Sequence, residues 1–470
     1  MLPVIALVGR PNVGKSTLFN RLTGTRDALV ADYPGLTRDR QYGFASVPAE
    51  LRAAAGADSL IVVDTGGITG DQGELDLQMS KQVESAVLES NVVILMVDGE
   101  SGLTAGDENV AELIRRTGKP VVLVVNKTEG RAAEESAAEF YALGIGDPVA
   151  ISATRGDRVQ GMLATALGLC PPAVEDSLPK GEAGGTRVAV IGKPNVGKST
   201  LINRLLGENR LVTQGEAGTT RDSIAIPFDF DGHPFVLVDT AGIRRKARVT
   251  EMIEKFSIVK SLQALEDADA VIMLIDAREG MTEQDTSLIG LILQRGRAMT
   301  LGVNKWDGLS ERRRGELRDE LDRQLPFLDF VDTHFISALH GSNIFDVLKS
   351  AGKAAQAAVR DLPTSRLNEV LQEAIQAHPP PIVRRSRVKL SYAHQGGKRP
   401  PTIVIHGNQT QRLPGTYRRY LVNRFRKAFR LKGTPIRIEL RTGRNPYEGR
   451  RNKLTPRQAR SRDRIRKRRR

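Results

Sequence analysis

Through the first 360 residues, short continuous apolar runs alternate with longer stretches of mixed polarity. In the first half the runs fall at residues 4–8, 60–63, 92–97, 121–125 and 149–151. In the second half they fall at 188–191, 235–238, 270–275, 300–303 and 334–336. Runs of this length with little polar alternation suit parallel strands buried on both faces. The stretches between them, such as 107–116 and 311–325, have the spacing and charge of surface helices. The alternation predicts an α/β fold with doubly wound, mostly parallel sheets, whose ligands lie at the carboxyl ends of the strands.

The two halves are copies of one domain. Residues 9–22 read GRPNVGKSTLFNRL and residues 192–205 read GKPNVGKSTLINRL, differing at two of 14 positions. The same landmarks follow each copy in the same order. Thr37-Arg38-Asp39 matches Thr220-Arg221-Asp222, and Asp64-Thr65-Gly66-Gly67-Ile68 matches Asp239-Thr240-Ala241-Gly242-Ile243. Asn126-Lys127-Thr128-Glu129 matches Asn304-Lys305-Trp306-Asp307, and Ser152-Ala153 matches Ser337-Ala338. The predicted organisation is a first domain at 1–167, a Pro- and Gly-containing linker at 168–186 and a second domain at 187–361. A small domain at 362–443 and a tail at 444–470 follow. Cys170, beside Pro171, reads as an incidental thiol.

Gly9-Arg10-Pro11-Asn12-Val13-Gly14-Lys15-Ser16 and Gly192-Lys193-Pro194-Asn195-Val196-Gly197-Lys198-Ser199 each follow a predicted strand and open a predicted helix. In that context the pattern is a phosphate-binding loop. Its glycines let backbone N–H groups turn toward phosphate oxygens, and the helix N-terminus adds a favourable dipole. Lys15 and Lys198 then reach the β- and γ-phosphates, while Ser16 and Ser199 ligate Mg²⁺. Asp64 and Asp239, ending apolar runs, are placed to hold Mg²⁺ through water. Gly67 and Gly242 can present a backbone N–H to the γ-phosphate, and Thr37 and Thr220 can close on Mg²⁺ when that phosphate is present.

Base choice falls to the Asn-Lys segments. Asp307, and Glu129 with one more methylene, can accept two hydrogen bonds from guanine N1 and N2. Adenine lacks that donor pair and would leave the carboxylate unmatched. Ser152-Ala153 and Ser337-Ala338 back the base. Ras-like proteins place a water-orienting glutamine where Ile68 and Ile243 stand, so slow intrinsic turnover or an outside helper is expected. Asn12 and Asn195 read equally well as monovalent-cation ligands or as loop-shaping residues.

Composition narrows the rest. The chain has 470 residues, 40% apolar and 27% charged, with a single cysteine. That excludes an internal disulfide framework. No run reaches the about 18 apolar residues of a membrane span. Gly9 and Arg10 interrupt the first run, so no secretory leader is expected and a cytoplasmic location is. The net charge of +15 is unevenly placed. Residues 382–470 hold 29 Lys and Arg against 3 acidic residues, while residues 1–381 hold 41 against 52. Such asymmetry points to a polyanion partner, nucleic acid before a lipid surface, since the tail has no amphipathic apolar face.

Taken together, the chain resembles the Der/EngA family of tandem-G-domain bacterial GTPases over about residues 2–447. The resemblance rests on the two GxPNVGKS loops and the small basic domain after them. It implies GTP hydrolysis coupled to maturation of the large ribosomal subunit, through ribosomal RNA or ribosome binding by the basic domain and tail. It also implies GTP and GDP with Mg²⁺, potassium-stimulated turnover with Asn12 and Asn195 as ligands, and a KH-like third domain. Glu129 in place of the usual aspartate and the long tail depart from the pattern. Competing readings are a tRNA-modification GTPase, which normally carries one G domain and a second catalytic module, and a membrane switch using the tail. A monomer is expected.

Within the third domain the pattern predicts helix, strand, strand, helix, strand over 365–440. Tyr417, Leu421, Phe425 and Ala428 form one apolar stripe, with Arg418, Arg419, Arg424, Arg426 and Lys427 largely outside it. No GxxG loop is present, so RNA contact through surface charge, or a role between domains, is expected in place of the usual KH clamp. Its aromatic residues are expected in the core.

Overall fold

The computed structural model describes residues 2–24, 41–65, 84, 86–129, 137–171, 185–208, 225–238, 258–383 and 386–442. The chain forms two compact units. One takes in Met1–Arg360 with Lys398–Pro401 and Arg430–Pro435; the other takes in Asp361–Gly397, Thr402–Phe429 and Ile436–Arg470.

The first unit holds two six-stranded sheets of identical topology. The first sheet comprises β1 (Val4–Val8), β2 (Gln41–Ser46), β3 (Ser59–Asp64), β4 (Val92–Asp98), β5 (Val121–Asn126) and β6 (Val149–Ala150), in the order β2-β3-β1-β4-β5-β6. The second comprises β7 (Thr186–Ile191), β8 (Ile226–Phe230), β9 (His233–Val238), β10 (Ala270–Asp276), β11 (Ala298–Asn304) and β12 (Thr333–Phe335). Its order, β8-β9-β7-β10-β11-β12, repeats the first. Only β2 with β3 and β8 with β9 run antiparallel; the other pairs are parallel.

Continuous apolar runs become strands here because both faces are covered. Every residue of β4 and of β10 is buried. The two-residue period then sorts β1 between two cores. Ile5 and Leu7 pack with Leu18 and Phe19 of α1 (Lys15–Thr23). Ala6 and Val8 pack with Val110 and Ile114 of α2 (Ala105–Arg115) and with Phe140. Across the sheet, α3 (Val159–Gly168) adds Met162 and Leu163 to the first of these cores. The second copy repeats this with α4 (Lys198–Glu208), α5 (Ile258–Asp267), α6 (Glu283–Arg295), α7 (Glu311–Gln324) and α8 (Ile344–Ala358).

Strand order fixes where a ligand can sit. β1 pairs with β3 on one side and β4 on the other, and β7 likewise lies between β9 and β10. The chain direction of winding reverses there, opening a crevice at the carboxyl ends. Residues 9–14 and 192–197 leave their strands at that point.

The second unit begins with α9 (Thr364–Ala377) and a two-residue pairing of β13 (Ile382–Val383) with β14 (Ser386–Arg387). β15 (Lys389–Gly397) and β16 (Thr402–Asn408) are antiparallel; α10 (Gly415–Phe429) then leads to β17 (Arg437–Thr442), parallel to β16. Leu367, Val370, Leu371, Ala393, Ile403, Ile405, Leu421 and Phe425 are buried. The Asn368 amide donates to the Ala393 carbonyl at 2.9 Å and accepts from the Ala393 N–H at 2.8 Å, pairing the outward backbone groups of that residue of β15. Tyr417 and Phe425 lie in the core as expected, but Tyr392 does not, being 45% exposed.

Candidate functional site

Each phosphate loop is shaped by residues in the left-handed region. Gly14 and Gly197 have φ of 101° and 104°, and a Cβ on either would stand 2.2 Å from the Nδ2 of Asn126 or Asn304. Glycine is therefore required both by conformation and by space. Asn12 and Asn195 take φ of 64° and 59°. Asn tolerates that region better than most side chains, which gives these residues a loop-shaping role in addition to any ligand role. Val13 and Val196 are buried and tie the loops to their cores.

Lys15 folds back so that its Nζ donates to the carbonyls of Gly9 and Arg10 at 2.8 and 2.6 Å. Lys198 does the same with Gly192 and Lys193 at 2.9 and 2.7 Å. Burial lowers the Lys15 ammonium to about 8, with Asp64 opposing and Arg10 adding to the shift. Ser16 Oγ donates to Asp64 Oδ2 at 2.8 Å, bringing the two predicted Mg²⁺ residues of the first copy together. A hydroxyl and a carboxylate beside a phosphate loop are the hard oxygen donors that Mg²⁺ takes. Thr65 is anchored by its hydroxyl to the Leu7 carbonyl at 2.9 Å.

On the base side, one asparagine joins two loops in each copy. Asn126 Nδ2 donates to the Val13 carbonyl at 2.8 Å, and its Oδ1 accepts from the Ala153 N–H at 2.9 Å. Asn304 bridges Val196 and Ala338 at 2.7 and 2.9 Å. The Ser152 hydroxyl donates to Glu129, and that bond leads the influences holding the Glu129 carboxyl below its usual range. Ser337 acts likewise on Asp307, helped by His340 and Arg278. Both carboxylates are thus ionised acceptors, the state that reads the guanine N1–H and N2–H edge. Thr128 Oγ1 donates to the Ile151 carbonyl at 2.9 Å, and Trp306 lies 4.1 Å from the Phe335 ring. Thr37, Gly66, Gly67, Ile68, Thr220, Asp239, Thr240, Ala241, Gly242 and Ile243 lie outside the described residues, as does the tail.

Two pairs of aspartates complete the site, and motif reading did not find them. Lys127 and Lys305, both at φ 63°, place Nζ at 2.7 and 2.5 Å from Asp98 and Asp276 at the ends of β4 and β10. For Asp98, burial alone would raise the carboxyl, but bonds from Lys127, Glu100 N–H and Ser101 outweigh it and hold the group low. The second pair tethers the phosphate loops. Arg10 Nε lies 2.8 Å from Asp107, while Lys193 Nζ lies 2.5 Å from Glu279 and 3.7 Å from Asp285. Asp107 and Asp285 are also the third helical residues of α2 and α6, locked in capping boxes with Thr104 and Thr282. One carboxylate therefore caps a helix and holds the loop. The signal was present in the sequence: Asp98, Thr104 and Asp107 recur as Asp276, Thr282 and Asp285 in unchanged spacing.

Comparison with known proteins agrees with this geometry. A family described as 50S ribosome-binding GTPase matches residues 4–127 and again 187–305. The KH-domain-like family of EngA bacterial GTPase enzymes, C-terminal, matches residues 362–441. GTPase Der of Thioalkalivibrio sulfidiphilus is 54% identical over 99% of this chain and 98% of its own. GTPase Der of Methylococcus capsulatus is 52% identical over the same shares, and that of Halorhodospira halophila 54% identical over 97% and 95%. Doubled guanine-nucleotide sites, a KH-like unit after them and end-to-end similarity lead to one conclusion: the chain belongs to the GTPase Der family, as a GTPase with two G domains.

Proposed function

We propose that this GTPase is a nucleotide-switched factor in ribosome biogenesis, acting on large-subunit assembly through ribosomal RNA or ribosome binding. The observation that carries the reading is the doubled arrangement: two phosphate loops, each bridged by an asparagine to a later loop, joined in one chain to a KH-like unit and a strongly basic C-terminus. The match to a family described as 50S ribosome-binding supports the same target.

In each site the loop N–H groups and the N-terminus of α1 or α4 receive the phosphates. Lys15 and Lys198 exchange their carbonyl partners for phosphate oxygens. Glu129 and Asp307 read guanine. Ser16, Asp64 and Thr37, with Ser199, Asp239 and Thr220 in the second copy, would hold Mg²⁺, which neutralises charge on the phosphates when bound. Gly67 and Gly242 offer the γ-phosphate an N–H. Ile68 and Ile243 cannot orient water, so turnover is slow. Asn12 and Asn195 would hold K⁺, which would stimulate it when bound. The factor works as a monomer in the cytoplasm. Among the described residues, no helix is long and apolar enough to cross a membrane.

Co-sedimentation with purified ribosomal subunits, with a non-hydrolysable GTP analogue against GDP, tests the reading. Analogue-dependent pelleting with the large subunit is the expected result. Equal pelleting in both states, abolished by removing residues 441–470, would reduce the link to tail electrostatics.

A further inference from the structure

One face of the sheet in the second unit carries a ring cluster that the nucleotide chemistry does not use. In the β15–β16–β17 register, Tyr392 stands opposite His406, which stands opposite Arg441. The next rows are His394, Val404 and Glu439, then Thr402 and Arg437. Residues opposite one another in a sheet share a face. The rings confirm it: His394 stacks on His406 at 5.1 Å, with Tyr392 5.8 Å from His394 and 6.0 Å from His406. The helix-facing side is the other one, where Ala393, Ile403 and Ile405 are buried; on the ring face Val404 and Thr402 are buried between the rings and the strand ends.

Tyr392 is an exposed large aromatic residue, while His394 and His406 are half-buried beneath it. His394 Nδ1 has no hydrogen-bond partner among the described residues. Lys389, Arg437 and Arg441 are exposed at the margins of the face, and Arg441 lies 3.5 Å from Glu439, its one acidic residue. A hydrophobic partner would leave Lys389 and Arg437 unmatched. A duplex would present phosphates but no open base faces to the rings. Flat π-surfaces flanked by cations are how single strands are held, with bases stacked and phosphates on the rim.

We infer that this face is a stacking platform for unpaired RNA bases, with Tyr392 as the leading ring and His394 and His406 as its floor. It stands in place of the GxxG clamp, which residues 362–443 lack. The inference rests on the proposed RNA partnership and names the surface that carries it.

The test uses the full chain bound to GDP and a short fluorescein-labelled oligouridylate, followed by anisotropy at salt high enough to suppress tail electrostatics. Heparin, a polyanion without bases, is the control ligand. Tyr392→Ala should weaken oligouridylate binding by about tenfold, in line with loss of one stacked base. Tyr392→Phe should retain wild-type affinity, and heparin binding should not change in either variant. Equal RNA affinity in wild type and Tyr392→Ala, or equal loss of RNA and heparin, overturns the inference. So does a wild-type chain that does not bind the oligomer. Photocross-linking of 5-bromouridine RNA to the wild-type chain needs no variant to fold: capture on the strands bearing Tyr392 and His406 supports the platform, and capture only within residues 443–470 refutes it. Failure of the ribosome reading is separate, since it shows as loss of subunit pelleting by the wild type.

Discussion

Arg10 and Asp107, 97 residues apart, meet at 2.8 Å and fasten the first phosphate loop to the start of α2. The Arg10 carbonyl also accepts from Lys15, so the residue that is tethered is the one that holds the lysine proposed to bind phosphate. Asp107 is buried, and its second oxygen accepts from the Thr104 N–H and hydroxyl.

Asp107→Asn keeps an acceptor for Thr104 but removes the charge that holds Arg10. We expect a loss of about 1–2 kcal/mol, roughly tenfold, in nucleotide affinity at the first site. Asp285→Asn should cost the second site less, about threefold, because Lys193 keeps Glu279 at 2.5 Å. Two-site GDP titration by calorimetry of each variant measures both. Equal losses at the two sites would show that the aspartates matter only as helix caps.

Lys15 gives the first site a pH signature. Its ammonium is lowered to about 8 by burial, so without nucleotide it is half-deprotonated near pH 8. Bound phosphates favour the charged form and raise that value. Nucleotide binding at pH 8 must then take up about half a proton, and affinity must fall by up to about tenfold per unit as pH rises further. Below about pH 7 the lysine is charged in both states and uptake vanishes. Calorimetry in buffers of different ionisation enthalpy reads this directly. Identical heats in all buffers at pH 8 would contradict it.

What the sequence made legible was what is local or continuous. Strands buried on both faces need unbroken apolar runs, and the phosphate loop needs its glycines within eight residues; both can be read in one pass. The antiparallel edge strands escaped because an edge strand needs neither. β2 is interrupted by Gly43, and β8 carries Pro227, which an edge tolerates and a central strand does not. Asp98 and Asp107 escaped for another reason. A lone aspartate after a strand or in a first helical turn is ordinary, and only the fold brings it to Lys127 or Arg10. Tyr392 was missed because a bulge between Leu390 and Tyr392 shifts the strand register, breaking the alternation that would have marked its face.

The two carboxylates proposed to read guanine differ in their neighbour, which predicts a different response to removing that neighbour at each site. Arg155 stands near Glu129, and it is charged at every working pH. The matching position holds His340, whose Nε2 is 3.5 Å from Asp307, with Arg278 and Ser337 also acting on that carboxylate. That ring competes with the guanine donors for the Asp307 oxygens, so His340→Ala should raise GDP affinity at the second site by about threefold, the scale of a partly exposed pair. Trp306 is the only tryptophan in the chain and adjoins Asp307, so its emission reports this site alone. Its ring packs on Phe335, with Arg318 5.3 Å away, and a nucleotide arriving beside it should change that environment. GDP titrations followed by Trp306 emission should show tighter binding in His340→Ala than in the wild type. An affinity unchanged by His340→Ala would show that the ring does not compete for Asp307, and emission indifferent to saturating GDP would separate Trp306 from the site.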